Sequence, residues 1–250
     1  MPEWIVLGSA HALPSPDHAN THFLLHSEER ALLIDAPCSV EQQLHRAGVP
    51  LLSITDLLLT HFHPDHVAGV PQFLMDSWLA GRAAPLHLYA NQDVLDRLQT
   101  MMSLYRWEDW PDFFPIEYHK IPQQHLSTVM EISAWKVQTS PVKHTVPTIG
   151  LRITFADGTV LAYSSDTAPC KATVELARDA DYLFHEASGE MDGHSSAAQA
   201  GEIAALAGAK RLYLVHTDPR ERPFLKAEAQ KTFSGKVVVA EDLMRLEVGK

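Results

Sequence analysis

Short apolar runs bounded by polar turns recur along the chain, a pattern that is typical of buried β-strands. The charged turn Ser27-Glu28-Glu29-Arg30 joins two of these runs as a hairpin, and Ala156-Asp157-Gly158 forms a second hairpin turn of the D-G type. The predicted strands cover residues 4–8, 21–26, 31–35, 54–59, 86–89, 132–138, 150–155, 159–163, 181–184, 211–215, 237–239 and 243–248.

Helical spacing of apolar residues predicts helices between these strands. They cover residues 40–47, residues 67–79, residues 93–102 and an alanine-rich helix that opens at Gly193-His194-Ser195-Ser196 and runs through Leu206. Strands with interspersed helices in both halves predict an α/β (α+β) protein with two mixed sheets covered by helices on their outer faces. No repeat, low-complexity tract or obvious linker interrupts the 250 residues, so we expect one domain over residues 1–250.

Two segments fit neither pattern. A loop from Ser9 to Asn20 contains two prolines, and loops of this length inside a domain are often functional. Residues 105–114 are rich in Trp, Tyr and Phe. The sequence leaves open whether this aromatic segment forms the wall or lid of a pocket or a packed surface hairpin.

The stretch Thr60-His61-Phe62-His63-Pro64-Asp65-His66 places three imidazoles and a carboxylate directly after an apolar strand. Residues two apart in extended backbone point to the same side, so His61 and His63 can bind one ion. Pro64 fits the first turn of a helix, which would project Asp65 and His66 toward a second ion. So dense a cluster at a strand-to-helix junction predicts a metal centre.

Three further residues of ligand type follow strands in the second half of the chain, and they complete two sets of ligands. The predicted ligands are His61, His63 and His144 for one ion, Asp65, His66 and His216 for the other, and Asp166 shared by both. A hydroxide shared between ions about 3.5–4 Å apart would then be the nucleophile, and Asp65 can orient or deprotonate this water. Imidazole and carboxylate ligands suit two Zn²⁺ ions, and Mn²⁺ or Fe²⁺ fit the same donors.

Composition narrows the partners and the compartment. A formal net charge of −11 argues against a general polyanion-binding surface, which needs clustered Lys and Arg. No stretch approaches the roughly 18 apolar residues that span a bilayer, and no secretory signal is recognisable, so we expect a cytoplasmic protein without membrane contact. Cys38 and Cys170 form no C-x-x-C pair, which fits a reducing compartment.

The His61-x-His63-x-Asp65-His66 block, together with Asp35 before it and the later ligands, resembles the metallo-β-lactamase fold. That resemblance implies a four-layer αββα sandwich with a di-metal site at one edge. Within this fold the chain is most similar to the ribonuclease Z (tRNA 3'-endonuclease) group, from end to end. The other blocks that carry this likeness are Gly8 to Pro14, His144-Thr145-Val146-Pro147-Thr148-Ile149-Gly150, Ser164-Ser165-Asp166-Thr167, His185-Glu186-Ala187-Ser188, His194-Ser195-Ser196 and Val215-His216-Thr217-Asp218-Pro219-Arg220.

The resemblance implies a catalytic role for His194, which would be supported by Glu186 and would stabilise or protonate the departing oxygen. An acid at this position is worth about 10²–10⁴ in rate. The resemblance further implies a phosphodiesterase that acts on a small phosphodiester, a nucleotide or RNA, and a homodimer.

Two departures from the group weaken tRNA as the substrate. The segment Asp-Cys-Gly-Glu-Gly-Thr of tRNA-processing members is replaced by Asp35-Ala36-Pro37-Cys38-Ser39-Val40, and no basic, Gly/Pro-rich arm is visible. Together with the acidic net charge, these departures favour a small phosphodiester or nucleotide.

Two other functions stay open because a fold does not fix a substrate. The same di-metal site would serve a lactone, ester or thioester hydrolase, and the ligands alone would serve a non-catalytic metal-binding protein. Comparing kcat/KM on a lactone and on a phosphodiester separates the two hydrolases.

Overall fold

Two seven-stranded β-sheets form the centre of the computed structural model, which describes residues 1–249. The first sheet has the order β14-β1-β2-β3-β4-β5-β6 and the second has the order β13-β12-β11-β10-β9-β8-β7. The strands of the first sheet are β1 (Glu3–Gly8), β2 (His22–His26), β3 (Ala31–Ile34), β4 (Asp56–Leu58), β5 (Leu86–Ala90), β6 (Ile116–Lys120) and β14 (Arg245–Glu247). Those of the second are β7 (Ser127–Glu131), β8 (Trp135–Val142), β9 (Thr148–Phe155), β10 (Val160–Tyr163), β11 (Tyr182–Glu186), β12 (Arg211–Val215) and β13 (Lys236–Val239).

Helices cover the outer faces of both sheets, which confirms the predicted αββα layers. Those that follow strands of the first sheet are α1 (Val40–Arg46), α2 (Pro64–Val67), α3 (Val70–Leu79) and α4 (Gln92–Leu104). Those that follow strands of the second are α5 (Lys171–Leu176), α6 (Ala197–Ala207) and α7 (Arg222–Ala229). Short 3₁₀ turns lie at Leu51–Ser53 and Trp107–Asp109. Within residues 1–249, no helix has the length and apolar character needed to cross a membrane.

Alternation along the strands explains how one chain builds three apolar layers. Trp4 and Phe23 point between the sheets, where their rings stack at 4.7 Å, and Phe23 also contacts Tyr163 of the second sheet. Their neighbours Ile5 and Leu24 point to the opposite face, toward the helices. Both faces of these strands are therefore buried, as the continuous apolar runs predicted.

The structure corrects several predicted boundaries. The helix predicted over 67–79 is divided into α2 and α3, because the Gly69 N–H donates to the Ala36 carbonyl at 2.9 Å instead of continuing the helical hydrogen bonds. A Cβ added at Gly69 would lie 2.0 Å from the Pro37 carbonyl oxygen, so this close approach requires glycine. The strand predicted over 132–138 begins at Trp135 and continues to Val142, so it reaches almost to His144. Strands β6 and β7 and helices α5 and α7 were not predicted from the sequence.

The aromatic segment 105–114 is not a hairpin. It contains a 3₁₀ turn and packs on α3, where Trp110 stacks on Trp78 at 5.3 Å and the Trp78 indole donates to the Pro111 carbonyl. Tyr105 and Trp110 also line a cavity of about 350 Å³ together with Cys38 and Met75. The pocket-wall interpretation of this segment therefore describes it better than the hairpin.

Candidate metal centre

Polar side chains at the carboxyl ends of several strands meet at one edge of the sandwich. The parallel pairs β3–β4, β10–β11 and β11–β12 place these strand ends side by side. Two groups of four ligand-type side chains form there, and within each group the ligand atoms lie within 4.8 Å of one another. The groups are His61, His63, His144 and Asp166, and Asp65, His66, Asp166 and His216. All seven residues predicted as metal ligands are thus brought together, in the predicted grouping.

Asp166 lies between the two groups, and its Oδ2 atom approaches both. This oxygen is 3.7 Å from His61 Nε2 and 4.0 Å from His144 Nε2 on one side. On the other side it is 3.5 Å from His66 Nε2 and 3.4 Å from His216 Nε2. Ligand atoms around a tetrahedral Zn²⁺ lie about 3.3–3.6 Å apart. The distances from Asp166 Oδ2 to the imidazole nitrogens of both groups are close to this range, so Asp166 can serve as a ligand shared by two ions.

Local hydrogen bonds orient the imidazoles toward the centre. His66 Nδ1 donates to Asp35 at 2.8 Å, and His144 Nδ1 donates to the Gly193 carbonyl at 2.8 Å. His61 Nδ1 lies 3.0 Å from the Thr60 hydroxyl, which itself donates to Asp35. Because Nδ1 is occupied in each ring, the lone pair of Nε2 is free to face an ion.

Buried atoms without a hydrogen-bond partner test whether the site suits metal ions. Four such atoms belong to the seven ligand-type residues: His61 Nε2, His66 Nε2, His216 Nδ1 and Asp166 Oδ1. Leaving such atoms unpaired in the interior costs free energy, which a cation between them would offset. The chemistry of the donors and their orphaned atoms therefore fit two divalent ions.

Electrostatics also favour cations at this edge. Burial acts to raise the pKa of Asp166, but His216 and His66 lower it well below its ordinary value, so its carboxylate is ionised. Burial lowers the pKa of His66, but Asp166 and Asp35 raise it well above its ordinary value. The carboxylates that favour a proton on His66 would also favour a divalent cation, which would displace that proton on binding.

Asp35 has a positioning role that sequence reasoning did not assign, although its place at the end of a strand was noted. Its carboxylate accepts hydrogen bonds from the Thr60 backbone and hydroxyl and from His66. Asp35 and His216 adopt left-handed backbone, with φ of 62° and 51°. Such conformations concentrate at functional sites, and here they turn the chain where it leaves each strand.

Replacing Asp35 by asparagine should weaken metal binding about 10–100-fold, because a neutral amide oxygen accepts a weaker hydrogen bond from His66 Nδ1 than the carboxylate does. Asparagine tolerates left-handed backbone, so the fold should be preserved. Zinc titration of metal-stripped protein measures the change. The exposed Asp17→Asn is the matched control, and an Asp35→Asn protein with unaltered affinity would contradict this role.

His194 and Glu186 lie beside the second ligand group. His194 Nδ1 donates to Glu186 Oε1 at 3.0 Å, and its ring stacks on His216 with 5.8 Å between centroids. Glu186 also accepts from the backbone of Thr167 and Ser195, and from Ser188, whose role the sequence did not indicate. Burial lowers the pKa of His194, but the hydrogen bond and charge of Glu186 raise it by more, so its pKa lies above the ordinary value.

Comparisons with known proteins agree with this architecture. A family model described as Anti-Pycsar protein Apyc1 matches residues 3–239. Ribonuclease Z of Nocardia farcinica is 30% identical, over 98% of this chain and 97% of its own length. The structure of the metallo-beta-lactamase fold protein YhfI from Bacillus subtilis covers 98% of both chains with a TM-score of 0.83 and 21% identity. That of human tRNase Z, short form, covers 98% of both with a TM-score of 0.79 and 23% identity. The predicted metallo-β-lactamase fold and the similarity to ribonuclease Z are thereby confirmed.

Proposed function

We propose that this chain, a metal-dependent phosphodiesterase, acts on a small phosphodiester or nucleotide. The chain belongs to the family described as Anti-Pycsar protein Apyc1. The observation that carries this proposal is the placement of the His194–Glu186 pair against the two ligand groups. A metal site by itself needs no such pair. An acid beside the ions assists a phosphodiesterase, because the leaving oxygen develops negative charge that a proton neutralises.

The proposed cofactors are two divalent ions, Zn²⁺ in the first place, with Mn²⁺ or Fe²⁺ as alternatives. When bound, such a pair supplies Lewis-acid charge and a water of lowered pKa. The ligands we propose are His61, His63 and His144 on one side, Asp65, His66 and His216 on the other, and Asp166 between them.

The protein's own groups would carry the protons. Burial acts to raise the pKa of Asp65, but hydrogen bonds with His216 and His66 lower it below its ordinary value, so an ionised carboxylate is available to orient the attacking water. His194 Nδ1 is held by Glu186, which leaves Nε2 as the atom that can donate to the leaving oxygen. The carboxylate that orients the water and the acid thus belong to two different elements, Asp65 to α2 and His194 to the loop before α6.

Two facts support a substrate smaller than tRNA. The net charge is −11, which disfavours a long phosphate backbone. The match to Nocardia Ribonuclease Z runs over 295 aligned positions, whereas this chain has 250 residues, so that relative carries at least 45 residues within the match that this chain lacks. A small phosphodiester needs no additional binding surface of that kind.

We further propose a cytoplasmic homodimer. Leu104 at the C-terminal end of α4 and the adjacent Tyr105 are exposed apolar side chains, which supports a partner surface that includes them, and Leu79 at the end of α3 is exposed as well. Light scattering coupled to size-exclusion chromatography measures the mass directly, and a mass of one chain at micromolar concentration would contradict the dimer.

Chelation should abolish turnover. We expect protein stripped with EDTA to lose hydrolysis of bis-p-nitrophenyl phosphate, and added Zn²⁺ or Mn²⁺ to restore it, because the ligands without ions supply no Lewis acid. Elemental analysis of the same samples gives the number of ions per chain. Persistent hydrolysis in metal-free protein would overturn the proposal. A much larger kcat/KM on a lactone or thioester than on any phosphodiester would keep the ions and replace the substrate class.

A further inference from the structure

A further cluster of ligand-type side chains lies on the first sheet, away from the strand ends that form the candidate centre. His87 on β5 pairs in register with Glu117 on the edge strand β6, and His119 follows Glu117 by two residues. Residues two apart in a strand share a face, so all three side chains point to the same side of the sheet. Their ligand atoms lie within 4.8 Å of one another.

His87 Nδ1 forms a hydrogen bond with His119 and an ion pair with Glu117, so the ligand atoms already converge to nearly the spacing that one ion requires. His87 Nδ1 is 3.1 Å from His119 Nε2 and 3.1 Å from Glu117 Oε2. Ligand atoms of a tetrahedral Zn²⁺ lie about 3.3 Å apart, and two imidazoles with one carboxylate are a known zinc-binding set with a free fourth position. We propose that His87, Glu117 and His119 form a third divalent-cation site, of the zinc type, that fastens the edge strand β6 to β5.

Neighbouring groups support a cation here. Tyr89 stacks on the His119 ring at 4.4 Å with an interplanar angle of 13°, which fixes the orientation of the imidazole. Burial lowers the pKa of His119, and His87 lowers it further, so this ring is available as a neutral ligand. The buried Asp56 pairs in register with His87 and places a carboxylate beside the cluster. Arg30 Nη2 lies 2.7 Å from Asp56 Oδ1 and offsets part of this negative charge.

The site would have a structural consequence. Strand β6 forms the edge of the first sheet, and most of its side chains are partly or fully exposed. Few apolar contacts therefore hold it, and a metal ion shared with β5 would stabilise this edge in proportion to its occupancy.

Equilibrium dialysis of metal-stripped protein against micromolar Zn²⁺, followed by elemental analysis, tests the site. We expect three zinc ions per chain in the unmodified protein, two in His119→Asn and three in the control His45→Asn, whose side chain is exposed on α1. His119→Asn also removes the ring that stacks on Tyr89, so Glu117→Gln serves as a second variant. Glu117 is half-exposed, so this protein should fold, and its third ion should bind at least about tenfold more weakly.

An unmodified protein that binds no more zinc than His119→Asn would overturn the site, and so would an unaltered zinc affinity in Glu117→Gln. Hydrolysis of bis-p-nitrophenyl phosphate separates this inference from the proposed function. It should be the same in the unmodified protein, Glu117→Gln and His45→Asn, because none of these changes touches the candidate centre. A protein that binds the third ion but has no phosphodiesterase activity would refute the function and leave this site in place.

Discussion

Replacing Asp166 by asparagine should remove both ions from the candidate centre and reduce kcat/KM on a phosphodiester by at least about 1,000-fold. Asp166 Oδ2 lies within 4.0 Å of imidazole nitrogens from both ligand groups, so a single substitution affects both ions. An asparagine amide carries no negative charge. Loss of one transition-state donor alone costs about 10²–10³ in rate in other enzymes, and here the source of the activated water would be lost as well.

Elemental analysis and kinetics of the same preparation measure this effect, with circular dichroism to verify folding. Glu202→Gln is the matched control, because it exchanges an exposed carboxylate for an amide on α6. Its metal content and kcat/KM should equal those of the unmodified protein. An Asp166→Asn protein that retains two ions and full turnover would show that Asp166 is not a shared ligand.

Residues that are close in the chain or repeat a local pattern were predictable from the sequence. His61 and His66 belong to one short block after an apolar strand, and β4 and α2 place them where the pattern predicted. The hairpin turn at Asp157-Gly158 joins β9 and β10 as the D-G signal indicated. The alanine-rich helix begins at Ser196 with a capping box and ends at Gly208 in left-handed backbone.

Features that depend on pairing between distant segments were not predictable in this way. Strand β6 carries Glu117, Tyr118 and His119 in succession, and this polar edge strand has no apolar run to indicate it. His87 and His119 come together only because β5 and β6 pair in register. The positioning role of Asp35 likewise depends on Thr60 and His66, which approach it only when β4 lies beside β3.

Replacing His194 by alanine should reduce turnover about 10²–10⁴-fold while the metal content stays at the level of the unmodified protein. His194 belongs to neither group of four ligands that share Asp166. Its ligand atoms cluster with those of Glu186 and His216, but its Nδ1 is already hydrogen-bonded to Glu186. The ions should therefore remain bound, and the loss should come from the missing proton donor. Unaltered turnover would show that His194 is not the proton donor and that its role is structural.

The leaving group gives a second measure of the same role. An acid assists a poor leaving group most, so His194→Ala should impair a phosphodiester with an alkoxide leaving group more than bis-p-nitrophenyl phosphate. Glu186→Gln provides the electrostatic counterpart. The charge of Glu186 raises the pKa of His194, so its loss lowers that pKa, and the ring deprotonates at lower pH. Activity that requires protonated His194 should then decline at lower pH in Glu186→Gln than in the unmodified protein. An alkaline limb at the same pH in both proteins would mean that Glu186 positions His194 without setting its protonation.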